Sequence, residues 1–143
     1  MEFVERIKAK AAQDIKTIVL PEAAEERNIK AANQILKEGF AKLVLIGDPD
    51  KIHHLASEYY LDQIDKAVIV DPLNNPKKEE YVELMLKLRA SKGLTREQAE
   101  KLIVDPLYLG ALMVKNGDVD GEVAGANNAT GDVLRPAFQY VKT

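Results

Sequence analysis

Residues 118–136, DVDGEVAGANNATGDVLRP, hold the densest set of groups able to bind an anion. Their pattern reads as a strand, a loop of small residues and the start of a helix. Gly125 and Gly131 let the backbone approach a ligand closely. Asn127, Asn128 and Thr130 add two side-chain amides and a hydroxyl. Thr130 or Asp132 would cap the following helix, and Pro136 fits its first turn. Exposed N–H groups at such a start suit phosphate, with the fixed charge and planar donor fork of Arg135 beside them. The same residues also make an ordinary tight turn with caps, and the local pattern leaves both readings open.

Two further arginines have suitable chemistry. Arg89 ends an amphipathic stretch in KLRASKG (87–93). It could contact a ligand, or simply favour the helix dipole and solvent. Arg27 follows the first strand, in PEAAEER (21–27). It could line the same cleft, or pair with Glu26 or helix neighbours at the surface, where a pair is worth little.

Other chemistry is scarce. The two histidines, His53 and His54, are adjacent. Neighbours on a helix point about 100° apart, so they lack the i, i+4 spacing of a chelating pair. Neither Ser57 nor Ser91 lies in a G-x-S-x-G turn, which argues against a Ser-His-Asp triad. There is no P-loop and no G-x-G-x-x-G. With no cysteine, disulfides, thiolate metal sites and a cysteine nucleophile are excluded within this sequence. No metal site is expected. The acidic pairs Glu25-Glu26 and Glu79-Glu80 fall in predicted first helical turns, where they oppose the dipole favourably.

The elements that must position these groups alternate. Short β-rich runs occur at 17–20, 42–47, 67–70 and 119–124. The middle two are almost continuously apolar, which predicts strands covered on both faces. Between them, Ile29, Ala32, Ile35 and Leu36 share one face of a helix over about residues 25–37, with Gly39 as its stop. Tyr81, Leu84, Met85 and Leu88 repeat the pattern in a helix ending near 91–93. Asp48-Pro49, Asn75-Pro76 and Asp105-Pro106 each place a capping side chain before a proline at a predicted first helical position. Thr95 to Gln98 fits a capping box. Alternating strands and helices predict a three-layer α/β/α fold with a mainly parallel sheet. The turn-rich stretch 72–78 reads as a loop within the domain.

Composition bounds the class. At 143 residues the chain has the length of one ordinary domain, with 46% apolar and 30% charged residues. Its net charge of −3 argues against a nucleic-acid-binding surface. No apolar run approaches the ~20 residues of a membrane helix. The N-terminus lacks the apolar core of a signal peptide, so a cytoplasmic protein is expected.

DPLYLGALMV (105–114), followed by residues 118–143, closely resembles the phosphate acetyltransferase (phosphotransacetylase) family. The most specific matches are DGEVAGA (120–126) and DVLRPAFQ (132–139). TIVLPE (17–22), with Arg27 and KAA (30–32), resembles the family's opening, and LVLIGD (43–48) fits as well. The resemblance runs through essentially the whole chain.

It implies reversible acetyl transfer between acetyl phosphate and coenzyme A, with release of phosphate. Coenzyme A is then a substrate, and no permanently bound cofactor is expected. Arg135 matches the arginine of the family's D-V-L-R-P motif and Arg89 that of its L-R-x-x-K-G motif. Both are implicated in holding the phosphate-bearing substrates. Asn127, Asn128, Thr130 and Gly131 would line the same cleft. The family is built as two α/β domains, isocitrate/isopropylmalate dehydrogenase-like in fold, with the active site between them. Its enzymes are about twice as long, and homodimeric assembly is expected of the full-length protein. Residues 1–143 would form most of the N-terminal domain, truncated before the elements that return to it. The family's general-base aspartate would lie beyond Thr143, so the catalytic base is not assigned here. Alternatives are a phosphate butyryltransferase-like enzyme, or a non-catalytic module that binds coenzyme A or acyl phosphate.

Overall fold

A computed structural model describes residues 3–124, 136 and 139–140. Arg135, Asn127, Asn128, Thr130 and Gly131 lie outside the described residues.

The chain opens with helix α1 (Phe3–Gln13), which no capping or stop signal in the sequence marks. Strand β1 (Lys16–Leu20), helix α2 (Glu26–Glu38) and strand β2 (Ala41–Ile46) follow. Then come α3 (Pro49–Glu58), a short 3-10 turn (Ile64–Lys66) and β3 (Val68–Val70). The second half holds α4 (Lys78–Arg89), a 3-10 turn (Ala90–Lys92), α5 (Arg96–Leu102), α6 (Pro106–Asn116) and β4 (Gly121–Glu122).

The four strands pair in parallel in the order β3-β2-β1-β4. Successive strand residues point to opposite faces, and each face has its own helical layer. Leu20, Leu43 and Leu45 pack with Ile29, Ala32 and Leu36 of α2 and Ile52 of α3. Val19, Val44 and Ile46 pack with Tyr81 and Met85 of α4, Ala99 of α5 and Leu109 and Leu112 of α6. The expected three layers are therefore present. Burying each large apolar side chain contributes roughly 1.5–3 kcal/mol before entropy is charged against it.

Local signals act where the sequence marks them. Asp48 and Asp105 accept the backbone N–H of Asp50 and Leu107, each ahead of a proline. Thr95 and Gln98 form both halves of a capping box. Gly39 ends α2 with φ 73°, a left-handed conformation that costs glycine little.

Two expectations change. Asn75-Pro76 does not start α4: Asn75 Oδ1 accepts Lys77 N–H at 3.1 Å, and helix begins at Lys78 with no side-chain cap bond. The asparagine closes a turn ahead of the helix, a competing use of the same side chain. Nor is β3 covered on both faces. Among the described strands it stands at the edge, and its Val68 is 61% exposed.

Candidate functional site at the carboxyl rim of the sheet

Strand order creates the place for a site. From β1 the chain builds outward to β2 and β3, then returns to put β4 on the other side of β1. Ligands of open α/β sheets bind beyond the carboxyl ends of the strands at such a reversal. α6 runs toward the opposite rim, where Lys77 bonds Asp118 at 2.9 Å and Asn116 bonds Glu80 at 2.9 Å. Those contacts set the beginning of α4 against the end of α6. The end of α4, carrying Arg89, and the start of α6 therefore face the carboxyl rim.

Two cavities flank the first turn of α6. One, of about 200 Å³, is lined by Pro21, Glu22, Gly47, Asp105 and Leu107, among others. The next residue, Tyr108, faces a larger one of about 390 Å³. Around it stand Arg89, Lys92 and Lys101, with the amides of Gln98 and Gln139. Tyr108 and Tyr140 meet edge to face there, 6.0 Å between ring centres. Burial pushes the Tyr140 hydroxyl above its ordinary value, while the Arg89 charge draws it down. Three cations beside two aromatic rings suit an anionic group attached to a flat or apolar body.

Two carboxylates belong to this rim. Glu22 is buried just beyond β1. Glu122 ends β4, whose register pairs it with Val19 of β1. Burial, and then the charge of Glu22, push the Glu122 carboxyl up to about 7. A carboxyl so placed exchanges its proton near neutrality.

The arginines separate. Arg89 lines the larger cavity. Arg27 is on the rim by chain order but is mostly exposed, and its Nε donates to Glu25 at 3.0 Å. Glu26 takes Lys30 instead, at 2.7 Å. Arg27 lines neither cavity. Arg135, Asn127, Asn128, Thr130 and Gly131 follow β4 in sequence, outside the described residues. His53 and His54 are exposed on α3.

Sequence reasoning missed Lys101, Tyr108, Tyr140, Glu22 and Glu122 as site residues. Lys92 had a signal, since it is the lysine of the motif that carries Arg89. Lys101, Tyr108 and Tyr140 reach Arg89 only through tertiary packing at this end of the sheet, and Glu22 and Glu122 come near each other through the pairing of β1 with β4.

Residues 2–143 match the family described as phosphate acetyl/butaryl transferase. The phosphate acetyltransferase of Acetivibrio thermocellus is 50% identical over the whole chain, and that of Clostridium acetobutylicum 49%. The chain spans 42% and 43% of their lengths. A phosphotransacetylase crystal structure from Streptococcus pyogenes superposes with a TM-score of 0.92 at 29% identity, over all of this chain and 44% of that one. The EutD phosphotransacetylase from Staphylococcus aureus gives 0.88 at 35% identity, over 98% of this chain and 42% of that one.

Proposed function

Because the chain belongs to the phosphate acetyl/butaryl transferase family, we propose that it supplies the first domain of an enzyme that moves an acetyl group reversibly between acetyl phosphate and coenzyme A. The observation carrying this reading is the match across residues 2–143, with phosphate acetyltransferases about half identical along the same length. Residues 1–143 form most of an N-terminal acyltransferase domain, and a second domain completes the site. The complete protein is a cytoplasmic homodimer on this reading.

In the acyl transfer, the coenzyme A thiol gives up its proton and its sulfur attacks the acetyl carbonyl carbon. The C–O bond to phosphate then breaks, and inorganic phosphate leaves with that electron pair. Holding two polyanions together contributes much of such a rate, and cations stabilise the charge that develops. Arg89 performs that holding from the 390 Å³ cavity, with Lys92 and Lys101 beside it. Arg135, in the D-V-L-R-P motif, is the second anion-binding arginine. Asn127, Asn128, Thr130 and Gly131 contribute amides, a hydroxyl and close backbone approach. Arg27 is an outer contact on the same rim. The base that takes the thiol proton is not assigned to these residues.

Coenzyme A-dependent phosphate release from acetyl phosphate, measured on the complete gene product, tests the reading. Failure of an intact, folded protein to release phosphate sinks it. Butyryl phosphate in the same assay separates the acetyl from the butyryl specificity that the family description also covers.

A further inference from the structure

Among the described residues, the second face of the sheet is not fully roofed. Residues paired in a parallel register share a face, so Val68 and Val70 lie beside Val44 and Ile46 on the face covered by α4 and α6. The roof stops short of β3: Val68 is 61% exposed although its strand neighbour Val44 is buried. A groove of about 620 Å³ results, with Val44, Val68 and Val70 as floor and Tyr81 and Met113 as walls. That volume falls within the range of small-molecule sites, which are mostly apolar with a few placed polar groups.

Three lysines and two aspartates line the groove, and the cations gather at the amino ends of β2 and β3. Lys42 and Lys66 line the groove, and among the described residues neither ammonium has a hydrogen bond or ion pair. Of the two carboxylates at the groove, Asp118 is paired with Lys77, while Asp71 keeps its charge beyond the carboxyl end of β3, away from Lys42 and Lys66 at the amino end. Asp118 also takes Tyr81 and Asn116, and Asp71 accepts the backbone N–H of Leu73. The groove thus offers an apolar floor and two uncommitted positive charges. It opens toward the amino ends of β1 and β2, marked by Thr17 and Lys42, opposite the rim that carries Arg89.

We propose that this groove binds a small amphipathic anion, an apolar body with one carboxylate or phosphate head, at a site separate from the carboxyl rim. The apolar body lies on the three valines against Tyr81, and the head meets Lys42 and Lys66. This assignment does not rest on the proposed transferase reaction.

Amide-resolved NMR titration with hexanoate, hexyl phosphate and hexanol tests it. Saturable shifts centred on residues 68–70, 81 and 113 are expected from all three. Both anions should bind about fivefold tighter than the alcohol, near the upper end for exposed ion pairs. Comparing the two anions identifies the preferred head. The double substitution Lys42→Gln/Lys66→Gln removes two exposed side chains, so the spectrum should stay folded while the anion advantage disappears. Equal affinity for hexanol and the anions overturns the proposal. So does absence of saturation by ~10 mM, since that leaves an interaction weaker than ordinary small-ligand binding. Shifts centred on Arg89 instead would assign the anion to the carboxyl rim and also overturn it. Loss of the site in the complete gene product would make the groove a packing surface for protein, and the proposal would fall in that case too.

Discussion

The carboxyl of Glu122 occupies space that a side chain at Gly110 would need. A Cβ built on Gly110 would lie 3.2 Å from each of the three carboxyl atoms, closer than such contacts usually settle. A glycine on α6 thus admits an acidic group on β4 beneath the helix. Burial and the nearby Glu22 charge favour the protonated form, up to about pH 7. The unfolded carboxyl ionises near 4.5. Protonation therefore favours the folded chain: the contribution is complete below the unfolded value and is lost as pH rises through about 7. Glu122→Gln keeps the shape without the charge, so it should stabilise the chain at pH 8 and change little at pH 4. Each pKa unit corresponds to about 1.4 kcal/mol, and partial solvent access reduces the gain to roughly 1–2 kcal/mol. Urea unfolding at the two pH values checks this. Equal effects at both would remove Glu122 ionisation as the cause.

At the opposite rim, Tyr81 donates its hydroxyl to Asp118 at 2.5 Å. Burial alone would raise the Asp118 carboxyl, but the bonds from Asn116, Tyr81 and Lys77 outweigh it and hold it below the ordinary value. Its contribution to stability is present above the unfolded value and is lost as pH falls through the folded one. Tyr81→Phe keeps the buried ring and removes one bond to a charged acceptor. A loss of about 1.5 kcal/mol at pH 7 is expected, with a smaller loss once Asp118 is protonated. Chemical denaturation at pH 7 and near pH 2 measures both. A loss that does not shrink in acid would mean that ring packing, not the bond, is responsible.

Arg89 should dominate anion binding in the larger rim cavity. On the proposed transferase reading, Arg89→Ala should weaken coenzyme A binding about tenfold or more, on the scale of one lost charge-assisted hydrogen bond. Lys101→Ala should cost less, since Lys101 already lies 3.6 Å from Glu97 and is largely exposed. Arg27→Ala should cost least, because Arg27 lines neither cavity and pairs with Glu25. Calorimetry with the three variants ranks them. An Arg27 effect equal to that of Arg89 would contradict the division of roles.

Much of this fold was legible in the sequence because its signals are local. Asp48, Thr95 and Asp105 cap their helices with side chains two or three residues from the groups they satisfy. Gly39 ends α2 by its own backbone preference. Nonlocal outcomes were harder to read. The apolar run at 67–70 looks like a central strand, but only strand order decides that it stands at an edge. Asn75 has the right chemistry for a cap and spends it on a turn. The gathering of Lys101, Tyr108 and Tyr140 around Arg89 depends on three helices packing at one end of the sheet. A motif marked Arg89, but no spacing marked its neighbours.

Asp105 links this local code to the rim. Its carboxylate accepts Leu107 N–H at 2.9 Å as the cap of α6 and also lines the 200 Å³ cavity. Asp105→Ala removes both roles and should cost about 1 kcal/mol of stability through the cap. Asp105→Asn keeps an oxygen for the cap, since the two residues cap almost equally well, and removes the negative charge from the cavity. Stability should therefore fall for alanine and hold for asparagine. Anion binding should strengthen modestly in both, because each deletes a like charge from the rim. Thermal unfolding and a phosphate titration on the two variants separate the effects. Weaker anion binding in Asp105→Asn, with stability unchanged, would show that the carboxylate helps to hold the ligand instead of repelling it.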